Sequence, residues 1–359
     1  MGAMTCCIGM RPLKSENNLL YQINRYVKSD QKNTQFINDS QRDNQLSKST
    51  KNNQSKNSTN KKQFLKNKKG EFVLLIYDPE EDCYQELKVN LPVIKNIEGM
   101  SELNMDKNLF LCGISPKQEN EGSFLLRINI DKYSSGKDDM LNADLLINSH
   151  YEHIYPSLIH DRKGNILCIG GKGQKYCERY DIKASIWFLL PQLEEERYKC
   201  TLCLDNKGNY VYLFGGIKTD PFLKNNGNEN ENNTQIKILR MHLERLLIWE
   251  NLIVKTNQRN LCINRISSGA FTFKNDEDFI FIVGGEDFDE NCLDDVLRLS
   301  VKTLKIESTN VKLKNKTKFF NQIGVPINDQ SYCLIDYFNQ THIIERNDCL
   351  PMDYQMDNI

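Results

Sequence analysis

Short apolar runs alternate with tight polar turns along most of this chain. Tyr210–Phe214 (YVYLF) follows the turn Asp205-Asn-Lys-Gly-Asn209. Ile166–Ile169 follows Asp161-Arg-Lys-Gly-Asn165, and Phe279–Val283 follows Lys274-Asn-Asp-Glu-Asp278. Weaker copies of the turn lie at Asn104–Asn108, Ile327–Gln330 and Asn67–Glu71. Four or five apolar residues bounded by Asn, Asp and Gly read as strands joined by hairpins. No run reaches the ~18 apolar residues of a membrane-spanning helix, and no secretory hydrophobic segment is present. The pattern predicts an all-β body.

Three of the runs end on paired glycines, Gly170-Gly171, Gly215-Gly216 and Gly284-Gly285. Glycine at a strand tip points to a positive φ or to a backbone with no room for a Cβ. The spacing continues downstream. Tyr180 precedes Trp187 by seven residues, and Arg197 follows that Trp by ten. Trp249 is followed at the same interval by Arg259, and Ile306 by Lys316. Near the start, Tyr84 follows Tyr77 by seven. One unit therefore reads strand, turn, strand, Gly-Gly, strand, Trp-bearing strand, basic loop, with a period of roughly 50 residues.

This register resembles the kelch repeat over about residues 63–350. The units holding Trp187 and Trp249 match best; the unit of Gly284-Gly285 lacks the Trp, Cys112-Gly113 keeps one glycine and Ile335-Asp336 keeps none. The resemblance implies a β-propeller of six blades. An alternative of five stays open, in which the strands at 72–89 complete the last blade and join the chain ends. It also implies that each Gly-Gly sits where backbones crowd near the ring centre. Trp187 and Trp249, with Ile306 and Tyr84 as substitutes, should fill the seams between blades.

Charge divides the chain. Residues 1–70 carry 14 Lys and Arg against 4 Asp and Glu, whereas residues 71–359 carry 33 against 44. Residues 28–62 are mostly Asn, Gln, Ser, Lys and Thr, with almost nothing to bury, and are expected to be disordered. The expected organisation is a basic leader, 1–62, and a propeller, 63–359. Twelve cysteines scattered through a chain of this size predict reduced, buried thiols of a cytoplasmic protein. In Cys200-x-x-Cys203 the odd offset sends the two thiols to opposite strand faces.

A fold does not state a function; on a ring of blades the candidate chemistry lies in loops. The long loop Ile217–Gln235, the acidic loop Glu286, Asp287, Asp289 and Glu290, and the loop Glu194–Arg197 stand out. They suggest a face that binds a protein partner, with Arg197, Arg259, Lys316, Glu286 and Asp287 as candidates. The recurring cations have a second reading, as residues that bond their own blade's backbone. His150 and His153 in SHYEH form a conceivable metal pair without an evident third ligand. No GxSxG, HExxH or phosphate-cradling loop is present. No catalytic residue or cofactor is therefore expected. A basic leader without interleaved aromatics and an acidic body argue against nucleic acid.

The leader opens MGAMTCCIGM. Gly2 is the acceptor position for myristoylation, although Cys6 stands where Ser or Thr is usual. Cys6 and Cys7 are candidates for palmitoylation, the second signal that stable anchoring needs, and the basic linker would favour an anionic leaflet. In Glu16–Lys28, Leu19, Leu20, Ile23, Tyr26 and Val27 share one face of a short helix. Three readings follow: a scaffold tethered to the cytoplasmic face of a membrane, a soluble cytosolic scaffold with an unmodified tail, and, least favoured, a metal-dependent enzyme on a propeller.

Overall fold

The computed structural model describes residues 20–26, 71–78, 83–91 and 98–349, apart from 106, 116–121, 131–139, 219–237, 259–260, 275, 320–324 and 337–339. Four antiparallel sets of four strands succeed one another along the chain, the first of them part of a seven-stranded sheet. The first holds β4 (Glu98–Met105), β5 (Asn108–Ile114), β6 (Phe124–Asn129) and β7 (Met140–Leu145). The second holds β8 (Ser157–His160), β9 (Asn165–Gly171), β10 (Gln174–Asp181) and β11 (Ile186–Leu190). In the third are β12 (Thr201–Leu204), β13 (Tyr210–Phe214), β14 (Ile238–His242) and β15 (Glu250–Leu252). The fourth comprises β16 (Gly269–Phe271), β17 (Phe279–Val283), β18 (Leu293–Ser300) and β19 (Ile306–Thr317). A three-stranded sheet follows, of β20 (Val325–Pro326), β21 (Ser331–Ile335) and β22 (Thr341–Glu345), and then a single-turn helix α1 (Arg346–Cys349).

In each sheet the strands lie in chain order, and the innermost strands of successive sheets, β4, β8, β12 and β16, pack against one another. This is a propeller-like ring. Burial follows from it. The second strands are continuously buried, as in β13 and β17, because a neighbouring sheet covers both faces, whereas outer strands such as β7 alternate between buried and exposed. Five of the six expected hairpin turns join the first two strands of these sheets; Asn67–Gly70 lies outside the described residues.

The seams hold the core. Trp187 packs with Leu103, Phe110, Cys112 and Leu158 between the first and second sheets, and its ring lies 5.1 Å from that of Tyr180. Trp249 occupies the next seam, with Leu167, Leu190 and Leu213. Ile306 occupies the third, with Tyr212, Phe214 and Ile280. The indole nitrogens reach back across the seam: Trp187 donates to Ile147 O at 2.7 Å and Trp249 to Pro191 O at 2.9 Å. The expected seam-filling role holds at all three positions; the side chain of Tyr84 lies outside the described residues. Cys200 and Cys203 join different clusters, as the strand offset requires, and burial pushes both thiols up to about 12.

Two expectations about the start of the body are corrected. The strands near 72–89, β2 (Glu71–Asp78) and β3 (Cys83–Asn90), neither form a blade nor complete the last sheet. β3 pairs in parallel with β7, and Leu74, Leu87 and Val89 pack on Leu109, Leu111 and Phe124. The hairpin thus covers the face of the first sheet that no later sheet reaches. Among the described residues the ring holds four blades: strands β4–β7 of a seven-stranded sheet and the three four-stranded sheets that follow. The segment read as a helix instead contributes β1 (Leu20–Tyr26), antiparallel to β2. An isolated helix of 13 residues is marginal, whereas the edge of β2 offers a ready ladder of backbone partners.

Candidate functional site

Antiparallel order places the Gly-Gly loops, which join second and third strands, at the same end of the sheets as the links from each outer strand to the next inner strand. At this end the links carry a repeated clasp. The Arg197 carbonyl accepts the Gly171 N–H at 2.8 Å, while its guanidinium Nη1 donates to Gly215 O at 3.4 Å. One sheet on, the Arg265 carbonyl accepts from Gly216 N at 3.2 Å and its Nη1 donates to Gly284 O at 3.0 Å. Thr317 repeats the pattern: its carbonyl accepts from Gly285 N at 2.8 Å, and its hydroxyl donates to Asp336 Oδ2 at 2.7 Å. Asp336 stands where the last sheet has no Gly-Gly. His153 is the first clasp; its carbonyl accepts from Ser123 Oγ at 3.2 Å and its Nδ1 donates to Gly170 O at 2.6 Å.

The clasps explain the paired glycines. Gly215 and Gly216 have φ of 56° and 88°, a region costly for other residues. A Cβ on Gly215 would lie 1.9 Å from Arg265 O. The expected crowding is therefore present, and its source is the carbonyl of the next link.

The clasps also correct the cation register. Arg197 is 4% exposed, so it is a seam residue and not part of a partner-binding face. Arg259 lies outside the described residues, and the counterpart of Arg197 is Arg265, fully buried. Lys316 is exposed and adjoins the actual clasp, Thr317. The ten-residue interval holds after Trp187 but fails after Trp249, where the link is longer, so counting alone misses Arg265. His153 was equally illegible as a clasp, since nothing in its type matches arginine.

Each clasp has a carboxylate partner. Arg265 forks onto Asp295, with Nη1 3.1 Å from Oδ1 and Nη2 3.1 Å from Oδ2. Arg197 donates to Glu195 Oε1 at 2.6 Å, and Lys218 meets Oε2 at 2.8 Å. Burial alone would raise the Glu195 carboxyl, but the bonds from Lys218 and Arg197 hold it below the usual carboxylate range. His153 Nε2 lies 2.9 Å from Glu178 Oε2, and His150 Nδ1 lies 2.6 Å from Glu178 Oε1. The two histidines considered as a metal pair thus converge on a carboxylate. Among the described residues no group of three or more His, Cys, Asp or Glu is arranged to hold a metal ion.

What this end presents to solvent differs from what charge suggested. Asp287 is turned inward to its own loop: its carboxylate accepts from Asp289 N at 2.9 Å, Asn291 N at 2.8 Å and Asn291 Nδ2 at 3.0 Å. The Asn291 side chain and backbone hold its carboxyl below the usual range. The loop so formed raises Phe288, which is 60% exposed. Glu286 is mostly buried and paired with Lys318. In the links, Tyr155, Lys199 and Ser267 adopt φ of 53°, 54° and 51°. Their backbones are bonded in sequence, Lys199 N to Tyr155 O and Ser267 N to Lys199 O. The Lys199 ammonium lies 5.4 Å from the Tyr155 ring centroid and 6.0 Å from that of Tyr198. Tyr151 stacks on Tyr176 at 3.9 Å. Aromatic residues thus join the exposed charges Glu194, Asp289, Glu290 and Lys316 at this end.

No protein-family model matches the chain, and no curated protein matches it. Gly2, Cys6, Cys7 and the segment 28–62 lie outside the described residues, as does most of the loop Ile217–Gln235. Among the described residues no helix is long and apolar enough to cross a membrane.

Proposed function

We infer that the chain is a kelch-type propeller acting as a non-enzymatic scaffold that binds a protein partner at its Gly-Gly end. The kelch assignment is supported by the equivalence of Trp187, Trp249 and Ile306 at successive seams and by the paired glycines beneath each link. The observation that carries the binding assignment is the aromatic content of this end. Phe288 stands exposed on a braced loop, and Tyr155, Tyr198 and Lys199 form a half-buried cation–aromatic group. Rigid aromatics are the usual anchors of protein interfaces.

The test compares two surface variants in cells. Phe288→Ser with Lys199→Glu alters the Gly-Gly end; Leu247→Ser with Ile253→Ser alters the outer rim, where those residues are 72% and 74% exposed. We expect the first variant to lose the proteins that crosslink to the wild type, and the second to keep them, with unchanged melting of both. The opposite pattern would place the interface on the rim.

The leader reading rests on Gly2, Cys6, Cys7 and the lysines that follow: the scaffold is held at the cytoplasmic face of a membrane by acylation. The intact mass of the chain made in eukaryotic cells should then exceed that of the sequence from Gly2 onward, Met1 having been removed, by a myristoyl group, and Gly2→Ala should abolish the increment. An unmodified wild-type mass leaves the soluble scaffold.

A further inference from the structure

His153 stands at a position that is arginine in the next two links. It is fully buried, and both ring nitrogens face oxygens: Nδ1 the Gly170 carbonyl at 2.6 Å, Nε2 the Glu178 carboxylate at 2.9 Å. A carbonyl oxygen only accepts, so Nδ1 carries a proton. Glu178 is occupied as an acceptor throughout. Oε1 takes the His150 N–H at 3.0 Å and Oε2 the Tyr151 N–H at 3.1 Å, each beside its histidine contact. Backbone donors on both oxygens favour the ionised carboxylate, and hydrogen bonds hold the Glu178 carboxyl below the usual range, which makes Nε2 the donor of its contact.

We propose that His153 is held as an imidazolium, an ionisable stand-in for the clasp arginines, and that its deprotonation loosens the link Ser149–Tyr155 and makes the Gly-Gly end sensitive to pH. This regulation rests on the binding role assigned to that end, but the loosening itself does not. When the imidazolium gives its proton to solvent, one ring nitrogen keeps a hydrogen and the other becomes a lone pair. Either Gly170 O or Glu178 Oε2 then faces that lone pair and loses its donor. An arginine side chain keeps its charge throughout, whereas histidine as a residue type changes charge between about pH 5 and 8.

The surroundings set the sign. On the same link, His150 is 54% exposed at its side chain, and its single contact with Glu178 needs only one ring proton. On β10 lie Glu178 and Tyr176, which stacks on Tyr151. On β9 lies Cys168, whose thiol burial keeps protonated, and after β9 the Lys172 backbone donates to Ile154 O at 2.7 Å. Burial works against ionised Glu178, but hydrogen bonds from His153 and His150 hold its carboxyl below the usual range. Its contribution is therefore lost only in acid. The contribution of a ring that must be charged is complete at low pH and is lost as pH rises. The clasp is whole between those limits and opens on the alkaline side.

The full chain is the test object, with no partner present. Ring ¹⁵N shifts, assigned by their loss in His153→Gln, should show His153 doubly protonated at pH 6. Amide protection of Tyr151–Tyr155, corrected for intrinsic exchange, should fall roughly tenfold by pH 8. His153→Arg should remove that fall. A neutral His153 ring at pH 6 overturns the proposal, as does an unchanged fall in His153→Arg. If the arginine variant fails to fold, the wild-type ring shifts still decide. Loss of partner binding at the Phe288 face without these changes would concern the binding role alone.

Discussion

Gly215→Ala is expected to cost at least about 3 kcal/mol, enough to unfold much of the population of a marginally stable ring. Two effects combine. At φ 56° any residue with a Cβ is strained, by about 1–2 kcal/mol. The added carbon would also lie 1.9 Å from Arg265 O and 3.0 Å from Arg265 C. That carbonyl has nowhere to go. It accepts from Gly216 N, its residue is buried, and its guanidinium is fastened to Gly284 and Asp295 on the next sheet. Relief would require opening the seam. Gly173→Ala is the control: its φ is 75° but no heavy atom lies within 4 Å of the new Cβ. It should pay only for conformation. Urea midpoints of the two variants, at constant slope, give the comparison. Equal shifts would mean that the clasp does not confine Gly215.

Arg265→Met is expected to lower stability by about 3–5 kcal/mol, the range for breaking one side of a buried ion pair. The guanidinium also donates from Nε to Cys262 O at 2.9 Å and from Nη1 to Gly284 O at 3.0 Å. Removing it leaves those carbonyls and Asp295, 16% exposed at its side chain, without the fork. Arg265→Lys should recover little, since one ammonium cannot serve carboxylate and carbonyls at once. Adding Asp295→Leu to Arg265→Met should restore part of the loss, because the uncompensated charge goes with it. Additive losses in the double variant would refute a coupled pair. The measurement is again equilibrium unfolding, with the single Asp295→Leu variant completing the cycle.

Much of the ring was legible in residue order because each strand and turn carries a local signal. Asp205–Asn209 and Tyr210–Phe214 announce a hairpin by composition, and Trp187 announces a seam by size. Features fixed by backbone length or long-range pairing left no such mark. The link after Trp249 is longer than that after Trp187, so a constant interval led to Arg259 when the clasp is Arg265. Thr317 and Lys316 differ by one residue, but only one is buried. At Leu20–Tyr26 the apolar spacing fits a helix, yet an available strand edge decides the outcome. Arg197 was placed on the candidate face for a related reason: charge is visible in composition, whereas its burial depends on the links around it.

The clasps impose a direction on synthesis. A link's carbonyl serves the sheet already made, but its side chain waits for the glycines of the sheet to come: Arg197 for Gly215, Arg265 for Gly284. A nascent chain halted between those points holds a cation whose partners in its own link, Glu195 or Cys262 O, are in place, but whose glycine carbonyl on the next sheet is missing. A premature stop after Arg265 would therefore leave more than a missing blade. It would leave Arg265 without Gly284 O and Asp295, its partners on the sheet not yet made.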